Sequence, residues 1–295
     1  MVDLKETINR RAEAVTEALD RLLPTVSGPR GLVLEAMRYS ALSGGKRLRP
    51  FLVLESAALF DVPAEQAMRA ACAVEMIHCY SLIHDDLPAM DDSDLRRGRA
   101  TVHKVFDDAT AILAGDGLLT EAFTVLTHPD CHPDPAVRSE LVASLAAAAG
   151  TAGMVGGQMI DMSPDREGFD LEGISELQRL KTGALIGFSC TAGAILGRAS
   201  AEAHERLAAY ASAIGLAFQI ADDLLDELST PEELGKPTGQ DAADHKATFV
   251  GLLGIEGAQQ KAQELVREAT LHLDIFAEKA DLLRKTAAFV VDRRS

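Results

Sequence analysis

The chain has 295 residues, enough for one large domain or two small ones, and it is 47% hydrophobic but only 4% aromatic. Ala and Leu supply much of the apolar surface, which favours close helix packing over a β-sandwich. A formal charge of −16 argues against general nucleic-acid binding, though metal ions can recruit anions to carboxylates. The four cysteines (Cys72, Cys79, Cys131, Cys190) form no Cys-x-x-Cys pair, so a reducing, cytoplasmic setting is expected. The N-terminal segment MVDLKETINRRAEAV is charged and has no apolar core, and no run of about 18 apolar residues occurs. Neither a secretory signal nor a membrane span is therefore expected.

Almost the whole chain reads as helix. Breaks are predicted from Pro24 to Pro29, at Gly44-Gly45, at Asp61-Val62-Pro63, through His128 to Pro135, from Ser163 to Gly168 and from Ser229 to Gly239. They are loop-length interruptions, and no segment shows sustained period-two alternation bounded by hairpin turns. The expectation is an all-α fold, one helical domain over residues 1–295.

The first basic segment is Gly44-Gly45-Lys46-Arg47-Leu48-Arg49-Pro50. It lacks the spacing of a P-loop, yet offers two permissive glycines and three cations. An apolar stretch containing Val74, Ile77 and Ser81 then runs into Asp85-Asp86-Leu87-Pro88-Ala89-Met90-Asp91. In a straight helix six residues turn about 600°, which leaves Asp85 and Asp91 about 120° apart. Pro88 removes a backbone donor and clashes with the preceding turn. The helix is therefore predicted to end or distort near Leu87, with the following turn swinging Asp91 back toward Asp85. Arg96-Arg97-Gly98-Arg99 follows directly, and guanidinium forks match phosphate oxygens.

Further along, His128, Cys131 and His132 fit no standard zinc spacing. The segment GMVGGQ, Gly153 to Gln158, reads as a close helix approach or a break, and Asp161 after it as a helper of the site. From Leu207 the apolar positions Leu207, Tyr210, Ile214, Ala217, Ala221, Leu224 and Leu228 alternate steps of three and four. Gln219, Asp222 and Asp226 form a neighbouring stripe on the same helix. Aspartate is a poor helix former and avoids apolar company, so two aspartate clusters at the ends of apolar stretches need a reason. A shared set of divalent cations with positions left for phosphate oxygens supplies one, and such a shell is typical of Mg²⁺. The clusters read as two jaws around a polyphosphate.

Taken in order, Gly44-Gly45-Lys46-Arg47-x-Arg49-Pro50, Asp85-Asp86 to Asp91, Arg96-Arg97-Gly98, Lys181-Thr182-Gly183 and Phe218-Gln219-x-x-Asp222-Asp223-x-x-Asp226 resemble the trans-polyprenyl diphosphate synthases, bacterial farnesyl-type members most of all. Gly235-Lys236-x-x-Gly239-x-Asp241 and Lys246-x-Thr248 continue the resemblance. It implies a helical bundle of the isoprenoid synthase type around a central active-site cavity, usually as a homodimer, joining an allylic diphosphate to isopentenyl diphosphate. It implies about three Mg²⁺ ions between the allylic diphosphate and Asp85, Asp91 and Asp222, supported by Asp86 and Asp226. Arg96, Lys181, Lys236 and Lys246 would hold the allylic diphosphate, and Lys46, Arg49, His78 and Arg97 the isopentenyl diphosphate. The Lys181 carbonyl, the Thr182 hydroxyl and the Gln219 amide would face the carbocation. No side-chain general base or covalent nucleophile is required.

The resemblance also places the floor of the chain pocket at Tyr80 and Ser81. An aromatic at position 80 with four residues between Asp86 and Asp91 is similar to farnesyl-type enzymes, so a C15 product is expected, with C20 next. Ideal helix geometry puts Ser81 about 40° from Asp85 and Tyr80 about 140° away, so an ordinary core aromatic stays open for Tyr80. His245, Pro237 and Thr238 depart from the common pattern beside the two lysines; Arg293 and Arg294 stand as a frayed tail or as isopentenyl contacts. His84 is expected to be a hydrogen-bonded support. A terpene cyclase would carry a different second metal motif, and a non-catalytic partner subunit would have lost aspartates or cations that this chain keeps.

Overall fold

The structure is a computed structural model that describes residues 3–163, 168–228 and 247–292. Its described residues are almost entirely helical and divide into two compact units, Met1–Val142 and Ala143–Ser295.

The first unit contains α1 (Leu4–Leu22), α2 (Pro29–Ala41), α3 (Leu48–Ala58) and α4 (Ala64–Asp85). It continues through β1 (Leu95–Arg96), β2 (Arg99–Ala100), α5 (Val102–Val105) and α6 (Asp108–Thr127) into the start of α7 (Pro135–Ala149). The predicted breaks fall between these helices, and Pro29 and Pro135 each open one, where the missing N–H costs nothing. Asp107 caps α6, its carboxylate accepting from the Thr110 N–H and hydroxyl, both at 2.8 Å. The centre of the unit is α4, buried on most of its circumference through Ala70, Ala71, Val74, Met76, Ile77 and Ile83, as a helix packed between α3 and α6 must be. The all-helical expectation has one small exception. Arg97 (φ 54) and Gly98 (φ 74) turn a two-residue hairpin in which Arg96 pairs with Arg99, and strands this short leave no period-two signal.

The second unit contains α8 (Met154–Asp161), α9 (Leu171–Gln178), a π-helical turn (Arg179–Gly183) and α10 (Ala184–Leu196). It continues with α11 (Ala201–Leu228), α12 (Phe249–His272), a 3₁₀ stretch (Asp274–Ala280) and α13 (Asp281–Asp292). α11 packs on α10, α12 and α13 through the predicted stripe, from Leu207 to Leu224, all buried. Leu228 departs from that stripe and is 54% exposed. The Tyr210 hydroxyl donates to the Leu283 carbonyl at 2.8 Å, tying α11 to α13 inside the core.

Two stretches, Asp108–Thr127 and Pro135–Asp161, reach the length and mean hydropathy of a membrane span, which the lack of a continuous apolar run did not suggest. The first packs on α4 and α2 as a core helix does, and the second is two helices separated at residues 150–153. All four cysteines are buried free thiols, and burial pushes Cys131 up to about 11, far from thiolate chemistry.

Tyr210→Phe removes one buried hydrogen bond worth about 1 kcal/mol and should lower the midpoint of thermal unfolding by about 2–4 °C. Circular dichroism melting checks this, and an unchanged midpoint contradicts the tie between α11 and α13.

Candidate active site

The end of α4 is built as Pro88 predicts. Asp85 is its last helical residue, and the chain then doubles back: the Met90 N–H donates to the Leu87 carbonyl at 2.9 Å and the Asp91 N–H donates to the Asp85 carbonyl at 2.8 Å. Asp85 and Asp91 thereby share one end of the helix. Asp86 points elsewhere. It is 3% exposed, and its Oδ1 accepts from Arg96 Nη2 at 2.6 Å and Nε at 3.0 Å. Burial raises its pKa above the usual carboxylate range, and the Arg96 charge offsets part of that rise. Asp86 therefore holds Arg96, while the Ser93 N–H closes the turn on the Asp86 carbonyl at 3.2 Å.

The basic loop and hairpin meet on the same unit. Gly44 (φ 85) and Gly45 (φ 123) adopt conformations that L side chains rarely take. The Arg97 guanidinium donates to the Gly44 carbonyl, and a Cβ on Gly45 would run into it. The glycine pair is thus a seat for Arg97. His78, one turn from Ser81 on α4, is held neutral, its pKa well below the imidazole range because it is desolvated and faces the charges of Arg49, Arg97, Arg47 and Arg96. Lys46, next to Arg47 in the loop, is exposed. Of the four residues expected to hold one diphosphate, Arg49, His78 and Arg97 therefore come together in one basic patch.

Tyr80 is buried, its ring edge-on to His84 at 5.7 Å, and burial together with the Asp85 charge pushes its phenol up to about 12. Ser81 is partly exposed and donates to the His78 carbonyl at 3.0 Å. His84 Nε2 lies 3.1 Å from the Ile112 carbonyl, an acceptor only, so Nε2 carries the proton and His84 is a hydrogen-bonded support, as expected. Gly115 makes this possible, since a Cβ there would collide with the imidazole. No motif pointed to Gly115; a glycine inside an otherwise apolar helix was the available signal.

In the second unit Gln219, Asp222 and Asp226 lie partly exposed along α11, beside the buried Ala221 and Leu224. Asp223 has a different role: its Oδ2 accepts from the Phe249 N–H at 2.8 Å and so caps α12, whose N-cap Thr248 accepts from the Gly251 N–H at 3.0 Å. Lys181 and Thr182 sit on the π-helical turn, a feature that sequence reasoning missed and that is common at functional sites. Lys181 Nζ donates to Asp161 Oδ2 at 2.6 Å, and a Cβ on Gly157 would strike the Lys181 backbone. The GMVGGQ segment is thus both a break and a close approach. Lys236, Lys246, Gly235, Pro237, Thr238, His245, Arg293 and Arg294 lie outside the described residues. The His128 and His132 Nδ1 atoms accept from the Asp130 and Asp134 N–H groups at 3.2 and 3.0 Å, ordinary turn contacts.

Each jaw thus offers carboxylates in pairs. Among the described residues no three His, Cys, Asp or Glu side chains converge to hold a metal. A cation held by Asp85 and Asp91, or by Asp222 and Asp226, must complete its shell from water and substrate oxygens, a donor set that fits Mg²⁺.

Because the folded pKa of His78 lies below its unfolded value of about 6.5, the unfolded chain takes up the proton first as pH falls. Its contribution is full above that value and is lost below it, with a slope approaching about 1.4 kcal/mol per pH unit. In urea melts at about pH 7.5 and about pH 5.5, His78→Gln should lose less stability over the interval than the wild type. Equal losses contradict a neutral, desolvated His78.

Against this geometry, the sequence model of the polyprenyl synthetase family matches residues 30–282. The farnesyl diphosphate synthase of Geobacillus stearothermophilus is 44% identical over 273 residues, covering 92% of each chain. Geranylgeranyl pyrophosphate synthase 9 of Arabidopsis thaliana is 43% identical over 300 residues, covering 99% of this chain and 82% of that one. Among solved structures, the apo form of an FPP/GFPP synthase from Zymomonas mobilis is 49% identical with a TM-score of 0.88, covering 98% of each chain. The chain belongs to the polyprenyl synthetase family and is a prenyltransferase, a trans-prenyl diphosphate synthase with the all-α fold of its relatives.

Proposed function

We propose that this chain condenses isopentenyl diphosphate with dimethylallyl and then geranyl diphosphate to give farnesyl diphosphate, as a Mg²⁺-dependent cytoplasmic homodimer whose synthase domain spans both units. The observation that carries the reading is the hydrogen bond from the Asp91 N–H to the Asp85 carbonyl, which brings both aspartates to one end of α4, next to the Asp86–Arg96 pair. The family match running across the boundary between the units supports a single domain.

Asp85, Asp91 and Asp222 would hold Mg²⁺, with Asp86 and Asp226 in support. When bound, the metal supplies Lewis-acid neutralisation of the departing diphosphate. Arg96, Lys181, Lys236 and Lys246 bind the allylic diphosphate and stabilise negative charge where it develops as the C–O bond breaks and the electron pair leaves with the diphosphate. The Lys181 carbonyl, Thr182 hydroxyl and Gln219 amide face the carbocation with their dipoles. A π-helical turn shifts the backbone bonding of that segment, which suits a carbonyl with a second task. Lys46, Arg49, His78 and Arg97 orient isopentenyl diphosphate, whose double bond supplies the electrons for the new C–C bond. The proton then lost passes to the departed diphosphate, so no protein base is needed.

Tyr80, buried five residues before Asp85, supports a C15 limit, as do relatives named farnesyl diphosphate synthases. Geranylgeranyl-named relatives of nearly equal identity make C20 the second reading. A non-catalytic partner subunit is disfavoured by the retained aspartates and cations.

The purified chain should convert labelled isopentenyl diphosphate and either allylic primer into a C15 alcohol after dephosphorylation, and chelation of Mg²⁺ should abolish the reaction. A C20 product retains the condensation and rejects Tyr80 as the floor, and no product rejects an autonomous synthase. Asp222→Asn should cut kcat at least about a hundredfold. Tyr80→Ala should lengthen the product toward C20, read by mass spectrometry.

A further inference from the structure

Of the three cations in the loop Lys46-Arg47-Leu48-Arg49, the middle one faces inward. Arg47 is 3% exposed and stands at the N-cap of α3 in the left-handed region (φ 47, ψ 41), a strained place for a non-glycine residue. Its guanidinium donates to Glu75 Oε1 at 2.5 Å and to the Ala41 carbonyl at 2.6 Å. Glu75 is itself 1% exposed. One residue thus joins the end of α2, the start of α3 and the middle of α4.

Glu75 and His78 are three residues apart on α4 and so share a face. The pair therefore clamps the backbone between Lys46 and Arg49 to the face that carries His78, the group on which the Arg49 and Arg97 charges act. Burying two charges gains little stability compared with an apolar pair of the same volume, and fixing a register is the best-attested use of such an arrangement. A strained backbone held by strong contacts beside a binding site has the same logic.

We propose that Arg47, acting through Glu75, is the positioning residue of the isopentenyl diphosphate subsite. This rests on the reading that Lys46, Arg49, His78 and Arg97 hold that substrate. Arg47 touches no substrate; it sets where Lys46 and Arg49 stand relative to His78, and the allylic side does not depend on it.

The test replaces the pair with apolar residues of similar volume, Arg47→Met with Glu75→Leu, and measures thermal melting, KM for each substrate, kcat, and isopentenyl diphosphate binding by calorimetry. The double variant should melt close to the wild type, raise KM and Kd for isopentenyl diphosphate about tenfold or more, and leave KM for geranyl diphosphate within about twofold. Arg47→Lys, which keeps the charge but not the two-pronged donor, should show a smaller rise in the same constant alone. A folded double variant with unchanged affinity for isopentenyl diphosphate overturns the proposal, as does an equal rise for both substrates. If the double variant does not fold, Glu75→Gln, which keeps the acceptor oxygen but not the charge, takes its place: a selective rise for isopentenyl diphosphate is expected, and an unchanged affinity or an equal rise overturns the proposal. Wild-type and Lys46→Ala proteins are titrated alongside. Binding lost in Lys46→Ala but intact in the double variant overturns the role of Arg47 alone. Wild-type binding that is absent, or indifferent to Lys46→Ala, overturns the subsite and the proposal with it.

Discussion

A carboxylate can end a buried apolar helix only if its charge has somewhere to go, and this requirement sorts the aspartates of both clusters. Asp86, 3% exposed, passes its charge to Arg96; Asp223 passes its charge to the N-terminus of α12. Both act through these protein partners, Asp86 in support of the proposed metal shell. Asp85 and Asp91, turned together by the break at Pro88, and Asp222 and Asp226, one turn apart on α11, are the pairs on which the proposed chemistry rests. In each adjacent pair, one acid is tied to a protein partner and the other is assigned to the proposed site.

The cations are sorted in the same way. Arg47 is committed to Glu75, Arg96 to Asp86, Arg97 to the Gly44 carbonyl and Lys181 to Asp161. At Arg96, Arg97 and Lys181, diphosphate binding would therefore exchange or share protein oxygens for phosphate oxygens at side chains already aimed. The entropy of ordering long side chains is largely met by the fold, which is the physical content of preorganisation.

Much of this was legible in the residues. The breaks at Pro29, Gly44-Gly45, Pro63 and Pro135 follow from backbone chemistry, and the return of Asp91 follows from Pro88 and helix geometry alone. The packing stripe of α11 was readable from its period as far as Leu224. What was not legible has local causes. The π-helical turn at Lys181 is an insertion of one bonding step, invisible to a period of three or four. The hairpin at Arg97-Gly98 is two residues long on each side. The partners of Asp86, Asp223 and Arg47 lie 10, 26 and 28 positions away, and helical spacing carries no signal at such separations.

Everything in the proposed chemistry turns on whether carboxylates of both clusters hold one diphosphate through shared divalent ions. Mn²⁺ binding, followed by electron paramagnetic resonance, reads this in the wild type, Asp85→Asn and Asp222→Asn, with and without a non-ionisable thiolo analogue of geranyl diphosphate. Shared ions predict about three Mn²⁺ bound tightly only when the analogue is present, with ions lost from either variant. Ions bound equally well without the analogue, or unaffected by Asp222→Asn, would contradict sharing between the clusters.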